Sequence, residues 1–323
     1  MTRVHTITLN PAIDQTVRLD RLEPGAVHRA LGQQSEAGGK GVGVASVLAA
    51  LGVPVSACGW LGADNADLFE AAFARRGIED AMLRIPGLTR TNIKLAVADR
   101  GDTTDLNLPG IVLPPEALAR AEAELLARLA ARVRPGDWCE FAGSLPPGAE
   151  VGTWERLARR LVALGAQLLV DTGGSVLREL LQRLGESGPS AMPAFIKPNR
   201  AELEELAGRR LDTLDAVAEA AAALCAQGVR QVVVSLGGEG AVIVSAGERW
   251  HAAPPRVPVA TTVGAGDALV AGTLAALIEG RPFPHAAVFG MACAAARIQR
   301  IAPELPPRED IERLAAQIRL QPL

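Results

Sequence analysis

The sequence predicts an α/β protein: a central, mostly parallel sheet flanked by helices, with a small β lid. Three observations carry this. Short apolar runs alternate with alanine- and leucine-rich helical stretches through most of the 323 residues, which is the rhythm of βαβ units. Runs such as Val232, Val233 and Val234 are apolar at every position, as strands covered on both faces are. Two stretches, at about 14–34 and 89–112, break the alternation. They are polar, extended and turn-bounded, and residues 91–98 alternate like a strand with one wet face. They read as a lid standing off the main sheet, with ordinary surface excursions as the alternative.

Strands are expected at Val4–Leu9, Val53–Gly59, Trp138–Ala142, Gln167–Asp171, Phe195–Lys197, Gln231–Ser235 and Ala241–Val244. Helices are expected at Gly41–Leu51, Asn65–Arg76, Pro115–Arg132, Thr153–Leu164, Ser175–Leu184, Arg200–Ala207 and Leu214–Gln227. From Val263 the pattern turns helical to the end, with a proline-rich break at Ala302–Pro307. No internal repeat or low-complexity linker divides the chain, so residues 1–323 are expected to form one domain.

Nearly half the residues are apolar and the net charge is -3, which suits a globular core and argues against a nucleic-acid or membrane-surface partner. Any phosphate site must be local. Cys58, Cys139, Cys225 and Cys293 lie far apart, without metal-ligand spacing, and read as reduced thiols of a cytoplasmic protein. No signal peptide or membrane-length apolar run is visible. Arginine is abundant, yet lysine occurs only at Lys40, Lys94 and Lys197. A compact ammonium and a planar guanidinium are not equivalent, so these positions, Lys40 above all, are candidates for function against the alternative of biased codon usage.

The segment at Gly264, Ala265, Gly266 and Asp267 precedes a long apolar helix, Ala268–Ile278. Small residues there leave free amides at a helix N-terminus, which binds anions. A carboxylate beside such donors is what phosphorylation of a hydroxyl needs: a base for the proton and donors for the developing charge. Asp267 as a plain helix cap fits as well. Gly38, Gly39, Lys40, Gly41 and Gly43 form a glycine-rich turn with one cation. It fails the Walker A spacing, because Gln34 and Gly41 stand where Gly and Ser or Thr belong. It also fails the dinucleotide fingerprint, which would end on Ser46. Lys197, Asn199 and Glu202 follow a short strand. Asn199 and Glu202 suit either a water-mediated Mg²⁺ or an N-capping box. Ser235, Gly237, Gly238 and Gly240 form a glycine turn that either lies against a nucleotide or simply closes a hairpin. Asp171 and the stretch Gly143–Gly148 end strands, where ligands of open α/β sheets sit. Asp14 follows Asn10 and Pro11 just past the first strand, placed for sugar hydroxyls.

Taken in order with Thr8, Thr89, Arg90, Thr104 to Asn107 and Ser144, these segments resemble the PfkB (ribokinase-like) carbohydrate kinase family over essentially the whole chain. Within it the closest branch looks like the 1-phosphofructokinases, with tagatose-6-phosphate kinases and minor-type 6-phosphofructokinases nearby. The resemblance implies a ribokinase-like fold and an ATP-dependent, Mg²⁺-assisted phosphorylation of a sugar phosphate. Asp267 would be the base and the amides of Gly264, Ala265 and Gly266 the anion hole. Asp14, Gly38, Gly39, Lys40, Arg90 and Ser144 would hold the sugar phosphate, with Lys94 adding charge near its phosphate. Lys197, Asn199, Ser235, Gly237, Gly238 and Gly240 would bind ATP, with Asn199 and Glu202 at the metal. Two departures stand out. That branch usually carries Asn, a sugar contact, where Gly43 stands. Its turn near the adenine is replaced by Gln299–Pro303.

The acceptor implied is fructose 1-phosphate, with tagatose 6-phosphate or fructose 6-phosphate as the alternatives. Two other classes remain as rivals: a dinucleotide-dependent oxidoreductase, disfavoured by the failed fingerprint, and a catalytically silent sugar-phosphate sensor, disfavoured by Asp267 and its amides. A homodimer through the lids is compatible with the sequence, which carries no feature that demands one.

Overall fold

The computed structural model describes residues 2–99, 102–245, 247–300 and 304–323. The chain opens with β1 (Val4–Thr8), then makes the lid hairpin β2 (Ala12–Leu19) and β3 (Gly32–Gly38). Helix α1 (Lys40–Ala50), β4 (Val55–Gly62), α2 (Asp67–Arg76) and β5 (Glu79–Ile85) follow, and the second lid hairpin is β6 (Arg90–Val97) with β7 (Asp102–Leu106). A long run of βα units comes next: α3 (Pro115–Arg132), β8 (Trp138–Ala142), α4 (Val151–Ala163), β9 (Gln167–Asp171), α5 (Gly174–Gly185), β10 (Phe195–Ile196), α6 (Arg200–Ala207), α7 (Leu214–Ala226) and β11 (Gln231–Ser235). The chain ends with β12 (Ala241–Ser245), β13 (Glu248–Ala252), α8 (Ala265–Ile278), α9 (Phe283–Ile298), α10 (Arg308–Ala315) and β14 (Leu320–Pro322).

The main sheet runs β14-β13-β12-β11-β10-β9-β8-β1-β4-β5, parallel from β11 to β5 and antiparallel at the β12–β14 edge. The lid is a separate sheet, β3-β2-β6-β7, as expected for the two non-alternating stretches. Side chains leave the main sheet alternately to two cores. Val4, Trp138, Leu169, Phe195 and Val233 meet α1, α2, α8, α9 and α10. Ile7, Phe141, Val170, Ile196, Val232 and Val234 meet α3 to α7. That is why the valines of β11 are apolar at every position. Helix α8, apolar all round, is buried from Ala268 to Ala276, as such a helix must be.

Three expectations are corrected. The C-terminal stretch is not helical to its end, because β14 pairs with β13. Strands β5 and β13 were not expected and form near the two edges of the sheet. Helix α8 begins at Ala265 rather than Ala268. The proline-rich break at Ala302–Pro307 and the turn at Gln299–Pro303 fall partly outside the described residues.

Candidate active site

Parallel strands point their carboxyl ends the same way, so β1, β8 and β9 deliver their terminal residues to one rim, beneath the lid. A cleft of ≈ 640 Å³ opens there. Asp14, Gly38, Gly39, Lys40, Arg90 and Ser144 all line it, together with Gly264 and Asp267. The glycine-rich turn, the lid and the start of α8 are therefore one place.

The start of α8 turns backbone amides toward the cleft end of the helix. Gly264 is its N-cap with φ 78°, a left-handed conformation that glycine adopts without steric cost. Asp267 does not cap the helix, since no side chain does. Among the described residues the amides of Gly264, Gly266 and Asp267 donate to no protein carbonyl, whereas that of Ala265 reaches Thr262 O at 3.3 Å. Ala265 was expected to be a free donor; the turn before the helix uses its amide, which leaves Gly264 and Gly266 as the expected donors without a carbonyl partner among the described residues.

Asp267 faces the sugar cleft, and α1 presses against it. A Cβ on Gly43 would stand 2.1 Å from Asp267 Oδ2, so this position takes no side chain while the carboxylate is where it is. Burial, and then the charge of Asp171, push the Asp267 carboxyl up to about 7. Lys40 and Lys197 limit the rise. Asp171 is their common partner: its Oδ1 accepts from Lys40 Nζ at 3.2 Å and lies 3.5 Å from Lys197 Nζ. Burial opposes ionisation of Asp171, but the two lysines outweigh it and hold the carboxyl below the usual range. Lys197 reaches up under the anion hole, its Nζ 3.6 Å from where a Gly266 Cβ would be. The third lysine, Lys94, lies 3.4 Å from Asp14 Oδ2, and Asn92 donates to Asp14 Oδ1 at 3.3 Å. Lys40 and Lys94 thus line the cleft, and Lys197 is buried beside it, joined to Lys40 through Asp171.

Residues 7–309 match the pfkB family carbohydrate kinase. The chain belongs to the PfkB family of carbohydrate kinases. It is 47% identical to 1-phosphofructokinase of Xanthomonas campestris pv. campestris over 85% of this chain and 84% of that protein. It is 41% identical to 1-phosphofructokinase of Rhodobacter capsulatus over 99% of this chain and 98% of that protein. Phosphofructokinase-2 from Escherichia coli, solved with substrates and products, superposes with a TM-score of 0.87 at 26% identity, covering 98% of this chain and 99% of that one.

This PfkB kinase is a sugar-phosphate kinase, and ATP is its phosphoryl donor. The segments expected to hold the nucleotide do meet. Asn199 bridges to Ser235, whose amide donates to Pro198 O at 3.0 Å, and Arg200 clasps Glu239 at 2.8 Å. Gly237, Gly238 and Glu239 form a short 3₁₀ turn beside them. Asn199 and Glu202 make a reciprocal capping box at α6, each bond 2.9 Å. The capping alternative is thus realised, and it leaves Glu202 Oε1 turned toward Gly173.

Arg90 departs from a simple phosphate clamp. Its guanidinium donates to the carbonyls of Asn10, Pro11 and Leu108, pinning the lid to the end of β1. Ser144 Oγ accepts from Asn10 Nδ2 at 3.1 Å. Sequence reasoning did not single out Arg76 or Arg297, which also line the cleft and belong to no glycine-marked segment; Ser46 entered only where the dinucleotide fingerprint fails, and Asp105 only within Thr104 to Asn107. It also passed over Glu140, fully buried on β8 with neither carboxyl oxygen bonded to a protein group among the described residues. Burial first, then Asp171 and Asp267, push its carboxyl well above the usual carboxylate range.

Proposed function

We propose that this PfkB kinase transfers the γ-phosphoryl group of ATP to the free primary hydroxyl of fructose 1-phosphate, giving fructose 1,6-bisphosphate and ADP. The observation that carries the chemistry is the placement of Asp267, a carboxylate between the cleft and amides at the start of α8 that donate to no protein carbonyl among the described residues. The choice of sugar rests on relatives named 1-phosphofructokinase at 41% and 47% identity.

Asp267 takes the hydroxyl proton, the freed oxygen bonds to the γ-phosphorus, and the bond to the ADP oxygen breaks. Negative charge spreads over the transferring group, and the Gly264 and Gly266 amides meet it without reorganising. Asp14, fixed by Asn92 and Lys94, orients the sugar from the lid. Closure of the lid excludes water that would otherwise accept the phosphoryl group. Lys197, Asn199, Ser235, Gly237, Gly238 and Gly240 hold ATP in this reading. For Mg²⁺, no group of three or more acidic, His or Cys side chains forms a cage among the described residues. Glu202, with one oxygen uncommitted to its cap, and Asn199 suit a hydrated ion carried largely by the nucleotide phosphates. Such an ion would shield the phosphate charge.

The test is ADP release with fructose 1-phosphate, tagatose 6-phosphate and fructose 6-phosphate. Fructose 1-phosphate should give a kcat/KM higher by about 10-fold or more, the scale that one or two lost polar contacts produce. A higher value for another sugar phosphate would transfer the assignment to it.

The same reading takes residues 1–323 as one catalytic domain acting in the cytoplasm, which its four free thiols suit. No helix among the described residues is long and apolar enough to cross a membrane. It also pairs two chains through their lids, where Val27 is 98% exposed and Leu31 65%. Light scattering giving a monomer at assay concentration would remove that pairing.

A further inference from the structure

Helix α1 presents Gly43, Ser46 and Val47 to the cleft, three and four residues apart and hence on one stripe. Gly43 gives that stripe a gap beside the catalytic carboxylate, and the 2.1 Å approach to Asp267 Oδ2 keeps it empty. One turn further on, Ser46 Oγ donates to Val42 O at 2.7 Å, which spends its only proton. The same oxygen therefore accepts from Arg76 Nη1, at 2.8 Å. Arg76 is the last residue of α2, half-buried, and it lines the same cleft as Gly43. A guanidinium has five N–H donors in a fixed plane, and among the described residues Ser46 takes one of Arg76's.

We propose that Arg76, pinned by Ser46 on the cleft wall, is a sugar-phosphate-binding residue. The ligand chemistry follows from the donors: hydroxyl and phosphate oxygens of the acceptor sugar, which can only accept from a guanidinium. Glu36 and Arg297 line the same corner. Burial, and then the charge of Arg75, lower the Arg76 guanidinium's pKa, and the negative charge of Glu36 opposes that fall. Arg76 touches the acceptor rather than the transferring group, because the anion hole is on α8. This assignment deepens the reading of the cleft as a sugar-phosphate site and depends on it.

The test uses Arg76→Met, which keeps the apolar stem, Arg76→Lys and Ser46→Ala. Each is assayed on whichever sugar phosphate the wild type turns over best, and binding without ATP is measured by calorimetry. A different best substrate would unseat fructose 1-phosphate while leaving this test intact. Arg76→Met should raise the sugar KM and Kd by about 10- to 100-fold, the loss expected for a charge-assisted hydrogen bond. The KM for ATP should stay within about 2-fold and kcat within about 3-fold, as for uniform binding. Arg76→Lys should recover part of the loss, and Ser46→Ala should move the sugar KM the same way by less. A folded Arg76→Met with sugar Kd within about 2-fold of wild type overturns the assignment, as does an equal rise in the KM for ATP. If Arg76→Met does not fold, an unchanged sugar Kd in Ser46→Ala overturns it instead.

Discussion

Acidification should switch this enzyme off through one carboxylate. As the proposed base, Asp267 must be ionised to accept the sugar proton, and burial, followed by the charge of Asp171, pushes its carboxyl up to about 7. The ionised fraction is then about one in eleven at pH 6 and about ten in eleven at pH 8. kcat/KM should rise about 10-fold between those values and flatten above them. The assay is coupled ADP release at saturating ATP with sugar phosphate well below KM, where kcat/KM reports the free enzyme. A phosphate monoester also titrates near pH 6, so a second measurement separates the two. Asp171→Asn removes the second-largest cause of the rise, and the limb should move to lower pH while substrate ionisation stays put. A profile flat from pH 6 to 8, or a limb that Asp171→Asn leaves in place, would refute the argument. Linkage gives a stability counterpart. A carboxyl titrating above its usual range keeps in the native state a proton that the unfolded chain has released, so stability falls as pH rises toward 7. Asp267→Asn should therefore raise Tm at pH 8 by more than at pH 5.

Asp267→Asn should lower kcat by about two to four orders of magnitude, the range for a lost general base, with sugar binding measured by calorimetry nearly intact. Near-normal turnover would remove Asp267 from that role. Gly43→Ala puts a Cβ 2.1 Å from Asp267 Oδ2 where ordinary contact starts near 3.4 Å, so the carboxylate must retreat by about 1.3 Å. A displacement of that size is expected to cost about 10²-fold in kcat. Tm should change little, because only the end of one side chain moves. Wild-type kcat in Gly43→Ala would show that the carboxylate does not need its present position. Glu140→Leu replaces a buried acid lacking protein partners and should leave Tm unchanged or raise it by the scale of about 1–3 kcal/mol; a clear fall in Tm by calorimetry would contradict that account.

Legibility in the sequence followed burial. Trp138–Ala142, Gln167–Asp171 and Gln231–Ser235 were read to the residue because central parallel strands are apolar on both faces and bounded by turns. β5, β13 and β14 were missed. β5 starts on Glu79 and Asp80 at one edge, and β13 and β14 carry polar residues and a proline near the other, where half-paired strands tolerate both. The glycine-marked parts of the site were equally visible, since a close backbone approach or a helix-start anion site leaves a mark in local composition. Its electrostatics were not. Lys40, Asp171 and Lys197 are separated by 131 and 26 positions (171 − 40 and 197 − 171), and only the sheet order brings them together. Arg76 is hidden for the same reason: its place depends on how α2 packs against α1, and an exposed-looking arginine at a helix end is unremarkable in sequence.

The buried charges under the cleft suggest why this constellation suits a kinase. Burial disfavours a charge on Glu140, and with Asp267 ionised, Lys40 and Lys197 face Asp171 and Asp267, two charges of each sign. In the proposed transfer Asp267 takes the sugar proton, and the cluster gains one positive charge. That change comes as negative charge builds on the transferring group at the Gly264 and Gly266 amides, so the field favours the transition state more than the ground state. Lys197, fixed by Asp171 beneath Gly266, is the nearer source of that field, while Lys40 lies on the sugar side of the cleft. Lys197→Met should therefore lower kcat by about 10- to 100-fold with the sugar KM little changed, the signature of an interaction realised only in the transition state. Removing the cation should also push the Asp267 limb to higher pH, because Lys197 restrains its rise. If Lys197→Met raises the sugar KM and leaves kcat and the limb where they were, the lysine acts on ground-state binding and the electrostatic account fails.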